Sequence, residues 1–320
     1  MKKLFYFLFL LIFVNLAAKA QQDPQFTFNK ATQFAVNPGY AGSNDALTGL
    51  ILNRYQWSSY KGAPKTLLFS VETTTNIFGG KSGIGMNILS DEQGFEKNVL
   101  VNLNYSYHKA TNLGDLGIGA SFGVFNKSIT SNWDLTSTDG YQYTPAANDP
   151  LIPIGDVSQV TLDAGLGLFL KSNDYFASFS VTHINEGKIK YGQNGEYFPL
   201  LRHYYLSGGY NISLSNPLFE LRPSIFIKSD LAGFTSSQID FNVNLVYNER
   251  FTGGLNYRLQ DAVSLLVGFE MLNGLNIGLA YDITTSALGR YSYGSQEVFL
   301  RYSLDLSKGR QKKYKSIRFL

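Results

Sequence analysis

Hydrophobic and polar residues alternate with a period of two along most of this chain. From Leu275 to Ile283 every odd position is apolar and every even position is small or polar, and similar alternation runs from Val160 to Leu170, from Ile239 to Leu245 and from Val298 to Leu306. Alternation over about ten residues is typical of a β-strand with one apolar and one polar face. The pattern therefore predicts an all-β protein.

Fourteen segments of this kind lie between residues 46 and 306. Each is close to the roughly 9–11 residues that a tilted strand needs to cross a bilayer. The segments are 46–57, 64–75, 82–91, 96–108, 115–126, 159–171, 175–185, 200–213, 219–230, 237–247, 251–260, 262–271, 275–284 and 296–306.

The connections between the segments alternate between two classes. Every second connection is a short turn, as at Asn112-Leu113-Gly114 and Asn173-Asp174, whereas the long connections, 127–158, 186–199 and 285–295, all belong to the other class. Short turns at one end, long loops at the other and an even strand number are typical of outer-membrane barrels. We therefore predict a transmembrane antiparallel up-and-down β-barrel in the outer membrane of a Gram-negative bacterium, with extracellular long loops and periplasmic N- and C-termini.

Composition agrees with a membrane barrel better than with the main alternative, a secreted soluble β-sandwich. Charged residues are only 16% of the chain, against roughly 25% in soluble domains. A sandwich would need neither so few charges nor an apolar face on nearly every strand. The absence of cysteine excludes disulfide scaffolds and thiolate metal sites.

The ends of the chain differ from the barrel region. Lys2 and Lys3 precede an apolar run, and Ala18-Lys19-Ala20 is a cleavage motif, so residues 1–20 are predicted to be a signal peptide. We divide the remainder into a periplasmic N-terminal segment (21–45), the barrel (46–306) and a basic periplasmic tail (307–320). The tail is interpreted as a solvated end or as a dock for an acidic periplasmic partner.

Charge is distributed unevenly between these parts. Three of the 27 basic residues lie in the signal peptide and six in the tail, which leaves residues 21–307 with six more acidic than basic residues. Nucleic acid is therefore not an expected partner, because its binding requires a basic surface.

Charged residues on the polar faces of the strands are predicted to point into the lumen. Their mixed signs favour interior ion pairs over a selectivity ring of one sign. This predicted lumen charge network comprises Glu72, Asp163, Arg222, Lys228, Asp240, Arg258, Glu270, Asp282, Arg301 and Asp305.

No catalytic, metal-binding or cofactor-binding constellation is predicted, and no cofactor is expected. Gly83-x-Gly85 and Gly117-x-Gly119 continue a strand alternation, so they indicate small lumen-facing residues and not a nucleotide loop. His183 and His203 fall near the same rim, but alternation places His183 on the lipid side and His203 on the lumen side. We therefore expect no shared site between them.

The N-terminal segment is rich in turn residues and aromatic residues. We predict that Gln21–Ser43 closes the periplasmic mouth as a plug, with Phe26, Phe28, Phe34 and Tyr40 as apolar anchors. A barrel of about fourteen strands is wide enough that side chains alone do not fill it. The alternative is a flexible leader.

Several motifs resemble the PorP/SprF family of type IX secretion outer-membrane proteins, over essentially the whole mature chain. They are Gln22-Asp23-Pro24-Gln25-Phe26, Asn37-Pro38-Gly39-Tyr40-Ala41-Gly42-Ser43, Arg54-Tyr55-Gln56-Trp57, Gly62-Ala63-Pro64-Lys65-Thr66, Tyr257-Arg258, Ala280-Tyr281-Asp282 and Ser295-Gln296-Glu297-Val298.

The resemblance implies a non-enzymatic barrel of the type IX secretion or gliding motility machinery. Its implied partners are outer-membrane lipid, a secreted surface protein or adhesin, and periplasmic or lipoprotein components of the apparatus. The alternatives are a porin or small-solute channel and a membrane-embedded hydrolase. Candidate partner-docking residues from the motifs are Asp23, Pro24, Phe26, Asn37, Pro38, Tyr40, Gly42, Trp57 and Pro64.

Overall fold

A computed structural model describes residues 23–77, 79–130, 155–191, 196–231, 236–271 and 274–306. The predicted signal peptide, the basic tail and most of the predicted 127–158 loop lie outside these residues. The described part of the chain has no helix long and apolar enough to cross a membrane.

The described part of the chain begins with two short helical elements and continues as strands. Helix α1 (Gln33–Val36) is followed by a 3-10 turn (Pro38–Tyr40), and a second 3-10 turn (Ala287–Arg290) precedes the last strand. The strands are β1 (Ala46–Tyr55), β2 (Lys65–Ile77), β3 (Gly80–Gln93), β4 (Glu96–Thr111), β5 (Gly114–Ile129), β6 (Val157–Lys171), β7 (Tyr175–Thr182), β8 (Lys188–Tyr191), β9 (Glu196–Pro199), β10 (His203–Tyr210), β11 (Ile212–Ser213), β12 (Phe219–Ser229), β13 (Gln238–Tyr247), β14 (Phe251–Arg258), β15 (Ala262–Glu270), β16 (Leu275–Thr284) and β17 (Ser295–Asp305).

One antiparallel sheet closes on itself. Neighbouring strands pair in chain order, β1 pairs with β17 from Ala46 opposite Asp305 to Tyr55 opposite Gln296, and β10 pairs with both β7 and β12. Strand β11 continues β10 beyond Asn211, and the interruption between them lies opposite Pro223 of β12, which has no N–H for the ladder. With β10 and β11 counted as one interrupted strand, the barrel has fourteen strands. The predicted fold is confirmed.

The two faces of the strands differ as the alternation predicts. On β16, Gly278, Ala280 and Asp282 are buried, while Leu279 between them is 54% exposed. Large apolar side chains that are exposed on the outside of a closed sheet are the surface that contacts lipid.

The two ends of the barrel also differ. We call the end where β2–β3, β4–β5 and β6–β7 are joined by tight turns the short-turn end, and the opposite end the long-loop end. Strands β8 and β9 form a separate hairpin inside the predicted 186–199 loop. Each of these strands has only four residues, which is too short for a period-two alternation to be recognised in the sequence. The hairpin packs Ile189 against Phe125 on the inner wall.

Candidate functional site: the occupied lumen

Residues 23–45, here called the N-terminal segment, pass through the barrel from one end to the other. Asp23 lies at the long-loop end, where its carboxylate faces His183 just after β7 and its carbonyl accepts a hydrogen bond from Lys228 near the end of β12. At the short-turn end Lys171, the last residue of β6, donates to the carbonyl of Ser43. About twenty residues, mostly not helical, are long enough to span a bilayer-thick barrel.

This course corrects two predictions. The segment does not lie only at the predicted mouth, because it fills the lumen along its length. The described ends of the chain also lie at opposite ends of the barrel: Asp23 is at the long-loop end, and Asp305 pairs with Ala46 at the short-turn end. An even strand number predicts that β1 begins and β17 ends at the same end of the barrel. It carries no information about the segment before β1, which runs back through the lumen.

The predicted aromatic anchors pack against the inner wall. Phe26 is buried in a cluster with Leu50, Leu52 and Phe299, and the Phe28 and Phe299 rings meet edge to face at 4.7 Å. Phe26 and Phe28 thus pack against apolar residues on the lumen faces of β1 and β17, where alternation alone predicts polar residues.

The remaining two anchors lie further along the segment. Phe34 is also buried, and Tyr40 contacts the ring of Phe169 at 4.8 Å.

Glycines on β5 and β6 form the seat of the turn that begins at Asn37. A Cβ atom on Gly117 would lie 2.2 Å from the carbonyl oxygen of Gly39, and one on Gly167 would lie 1.9 Å from Oδ1 of Asn37. Only glycine allows backbone to approach backbone this closely. The glycine spacing therefore marks the contact surface for the segment.

Polar contacts complete the seat of this turn. The fully buried Asn37 donates from Nδ2 to the carbonyl of Leu168 at 2.9 Å and to Oγ of Ser178 at 2.7 Å, and its Oδ1 accepts from the Gly39 N–H. Further on, the Gly42 N–H donates to Glu72 at 2.9 Å. Since buried backbone groups are costly without partners, these bonds hold the segment in one position.

A buried charge cluster surrounds the first part of the segment. We use this name for Arg54, Asp240, Arg258, Asp282 and Glu297, which come from five strands of the wall, each near the long-loop end. Arg54 contacts Asp282 at 2.7 Å and Glu297 at 3.0 Å, and Arg258 contacts Asp282 at 3.1 Å and Asp240 at 3.3 Å. Buried charges of this kind need both opposite partners and further hydrogen bonds.

The N-terminal segment supplies those further hydrogen bonds. Glu297 accepts from the backbone N–H groups of Thr27 at 2.8 Å and Phe28 at 2.9 Å. The Thr27 hydroxyl donates to Asp282 at 2.8 Å and accepts from Arg54 at 2.9 Å. The charge cluster and the N-terminal segment therefore provide hydrogen-bond partners for each other's buried polar groups.

The ten residues of the predicted lumen network divide into two groups. Glu72, Asp163, Lys228, Asp240, Arg258 and Asp282 are buried at the inner wall, whereas Arg222, Glu270 and Arg301 are half-buried and Asp305 is exposed near the short-turn end. Sequence reasoning missed Arg54 and Glu297 as network members. Their positions in the alternation, in register with Thr48 and Arg301, would have placed both on the lumen face.

The predicted separation of His183 and His203 is wrong. Both side chains are buried inside the barrel with their ring centroids 6.2 Å apart, and both face Asp23. The alternation of β7 ends at Thr182, and His183 has a positive φ of 54°, which turns its side chain back to the lumen.

The charges of Asp23 and His183 stabilise each other. Burial opposes both charges, but His203 and His183 hold the pKa of Asp23 well below its usual range. Burial likewise opposes the charge of His183, but Asp23 and Asp163 raise the pKa of His183 to about 10. The side chains of Asp23, His183 and His203 also form a candidate metal-binding group, because their ligand atoms lie within 4.8 Å of one another.

Most of the predicted partner-docking residues are engaged inside the barrel. Seven of the nine belong to the N-terminal segment: Asp23, Pro24, Phe26, Asn37, Pro38, Tyr40 and Gly42. The other two, Trp57 and Pro64, lie in the β1–β2 loop at the long-loop end. These two residues therefore lie at the long-loop rim.

The β1–β2 loop and the loop before β17 join to form part of the long-loop rim. Ser58 and Gly294 are hydrogen-bonded through their backbones at 2.8 Å, as are Tyr293 and Ser58 at 3.0 Å. Tyr60, Tyr291 and Tyr293 are 55%, 72% and 78% exposed there. Pro64 and Tyr60 also line a cleft of about 370 Å³ on this rim.

Comparison with solved structures finds distant similarity to an outer-membrane protein, a hydrocarbon channel and a porin. Omp33 of Acinetobacter baumannii has a TM-score of 0.44 and 5% identity, over 82% of this chain and 99% of that chain. A deletion mutant of the monoaromatic hydrocarbon channel TodX has a TM-score of 0.41 and 11% identity, over 81% and 89%. A mutant porin of Rh. blastica has a TM-score of 0.34 and 7% identity, over 81% and 99%.

Comparison by sequence identifies the family. The chain matches no curated protein. Residues 18–302 match the family described as "Type IX secretion system membrane protein PorP/SprF", which confirms the resemblance carried by the motifs. The match covers nearly all of the barrel and the N-terminal segment. The chain therefore belongs to the PorP/SprF family of type IX secretion system membrane proteins and is an outer-membrane β-barrel.

Proposed function

We propose that this barrel is a non-enzymatic docking component of the type IX secretion and gliding machinery, which binds or anchors secreted surface proteins such as adhesins. Its further partners would be periplasmic or lipoprotein components of the apparatus. The observation that carries the proposal is the lumen, which the N-terminal segment occupies from one end to the other. Partners would then bind at the rims and loops of the barrel.

The occupied lumen also bears on the alternative of a porin or small-solute channel. A porin lumen is polar and filled with water. Here Phe26 and Phe34 are buried inside the barrel, and Arg54 and Arg258 are each less than 2% exposed. Conduction would require the segment to leave its seat, so we expect the intact protein to be silent in planar bilayers.

The long-loop rim offers a surface suited to a protein partner. Tyrosine is enriched at protein interfaces because it provides a large apolar area together with a hydroxyl. Tyr291 and Tyr293 are the most exposed large hydrophobic residues in the described part of the chain. We propose that these two tyrosines and the adjacent cleft contact a secreted surface protein.

Partner binding at this rim can be tested in detergent extracts of the native cell. The double variant Tyr291→Ala/Tyr293→Ala should lose most of the secreted protein that copurifies with the parent, since loss of an interface hot spot costs about 2 kcal/mol or more. Tyr210→Ala is the matched control, because this half-exposed tyrosine lies near the short-turn end. Equal recovery of the same secreted protein with the rim variant and the control would refute rim docking.

The proposed orientation places the long-loop end outside the cell. Ser59 and Ser215 are both exposed, at the long-loop and short-turn ends respectively, and the chain has no cysteine. Ser59→Cys should react with an impermeant maleimide on whole cells, and Ser215→Cys should react only after the outer membrane is opened. The reverse pattern would invert the orientation.

A further inference from the structure

Asp23, His183 and His203 converge at the long-loop end of the lumen. The two histidine side chains are 2% and 3% exposed, and that of Asp23 is 19% exposed. One ligand atom from each residue lies within 4.8 Å of the others. In a tetrahedral zinc site, bonds of about 2.0–2.2 Å place ligand atoms about 3.4 Å apart, so small side-chain movements would bring these three atoms to that spacing.

Both imidazole rings are already oriented by a partner on Nδ1. His183 Nδ1 contacts Asp163 at 2.6 Å, and His203 Nδ1 contacts the carbonyl of Leu201 at 3.0 Å. A carbonyl only accepts hydrogen bonds, so the proton of neutral His203 is on Nδ1 and the lone pair is on Nε2. Metal-bound histidines almost always have a carboxylate or carbonyl partner on the nitrogen that does not bind the metal.

Both rings face Asp23 but through different atoms, because the ring nitrogen of His203 that lies 3.7 Å from Oδ2 of Asp23 is Nδ1. His183 Nε2 lies 3.0 Å from Oδ1 of Asp23, and His203 Nε2 accepts from the Asp23 N–H at 3.4 Å. The second carboxylate oxygen of Asp23 accepts a hydrogen bond from the hydroxyl of Tyr205 at 2.6 Å. Two imidazole nitrogens and a carboxylate are a donor set that suits zinc.

We propose that Asp23, His183 and His203 form a Zn²⁺ site that joins the N-terminal segment to the barrel wall. The two imidazoles would bind through Nε2 and Asp23 through its carboxylate, with Asp163 orienting His183. Zinc would take the place of the proton that His183 now shares with Asp23. The side of Asp23 that is exposed provides the path for the ion.

The position of the ligands gives the site a mechanical consequence. His183 and His203 come from neighbouring strands, since His203 pairs with Thr182 in the β7–β10 ladder, and Asp23 comes from the N-terminal segment. An ion held by all three would therefore link the first described residues of the segment to the wall. Zinc bound in this way should make the segment harder to displace.

The chain contains only three histidines, which provides a matched control. His108 is also buried in the lumen, but at the short-turn end, where its Nε2 contacts the carbonyl of Ala41 at 2.6 Å. The experiment uses the full mature chain, without a polyhistidine tag, refolded in detergent, freed of metal by a chelator and then exposed to ZnCl₂. The bound metal is measured by mass spectrometry after gel filtration.

The parent and His108→Ala should each retain about one Zn²⁺ per chain, and His183→Ala and His203→Ala should retain almost none. Asp163→Asn should bind zinc ~10–100-fold more weakly, because it replaces the orienting carboxylate with a neutral amide and leaves the three ligands in place. Co²⁺ in place of zinc should give the visible absorption of a low-coordinate site in the parent and in His108→Ala alone.

Folding of each variant is checked by heat-modifiable migration in gels, so that loss of metal cannot be confused with loss of the barrel. If His183→Ala and His203→Ala do not fold, Asp163→Asn and the Co²⁺ spectrum of the parent decide the question. The proposal is overturned if the folded parent retains no zinc, or if His108→Ala loses as much zinc as His183→Ala.

Discussion

The lumen wall formed by β12–β17 has two halves that hold their charges differently. Near the long-loop end, Arg258 contacts Asp240 and Asp282, and all three are almost completely buried. Near the short-turn end, Arg222 pairs with Glu220 on its own strand at 2.7 Å, and both side chains are about 30% exposed. The strands are the same, so the difference comes from what lies against them.

The N-terminal segment explains this difference. Its first residues, around Thr27, lie against the long-loop half of β14, β16 and β17, while the stretch from Asn37 to Gly42 turns to the opposite wall of β2–β7. Charges that the segment covers must be paired and hydrogen-bonded, whereas those that it leaves uncovered stay hydrated. The alternation of a strand shows that a charge faces inward, but not whether water reaches it.

Deletion of the N-terminal segment should remove the difference in charge burial between the two halves of the lumen wall. A variant that lacks residues 23–42 leaves the charge cluster open to water and the lumen unfilled, and we expect it to change from silent to conducting in planar bilayers. Strand content should be unchanged by circular dichroism, because the segment contributes no strand to the barrel. A deleted protein that is folded but as silent as the parent would mean that the segment is not what closes the lumen.

Removal of one arginine from each half of the wall should lower the free energy of unfolding by very different amounts. Arg258→Ala leaves Asp240 and Asp282 without a main partner and should lower the free energy of unfolding by about 3–5 kcal/mol. Arg222→Ala, the matched control, should cost about 0–1 kcal/mol, because its pair is partly exposed. Both are measured by reversible denaturant unfolding in lipid vesicles, and equal losses would contradict the comparison.

An arginine introduced in the short-turn half should destabilise the barrel strongly on the lipid face and only slightly on the lumen face. Leu279 is exposed to lipid on β16, whereas Asn276 on the same strand faces the lumen and is half-buried. Leu279→Arg should therefore cost roughly 2–4 kcal/mol more than Asn276→Arg. Similar folding yields of the two variants in liposomes would show that the faces are wrongly assigned.

The glycine seat on the opposite wall should be sensitive to a single methyl group. Gly117→Ala places a Cβ atom 2.2 Å from the Gly39 carbonyl oxygen, while Gly253 has open space around it. The first substitution should cost about 1–3 kcal/mol from overpacking, and Gly253→Ala should cost almost nothing. Unfolding in vesicles measures both, and bilayer recordings should show brief openings for Gly117→Ala if its segment is loosened.

Sequence alone predicted much of this molecule because a barrel strand is a local pattern. Alternation with a period of two identifies the strands and assigns Leu279 to the lipid face and Asp282 to the lumen face. The even number of strands and the two classes of loops predict a closed barrel. The motif residues around Asn37 likewise identified the family. These features depend on neighbours in the chain, so the sequence contains them directly.

Tertiary structure decided everything that depends on the N-terminal segment. Its course through the lumen, the burial of Arg258 but not Arg222, and the apolar lumen face at Leu52 arise from contacts between residues more than twenty positions apart. The inward turn of His183 follows from a single backbone angle just after the end of a strand, where alternation no longer applies. No local pattern records such contacts, because burial and hydrogen bonding are settled only when the segment and the wall meet.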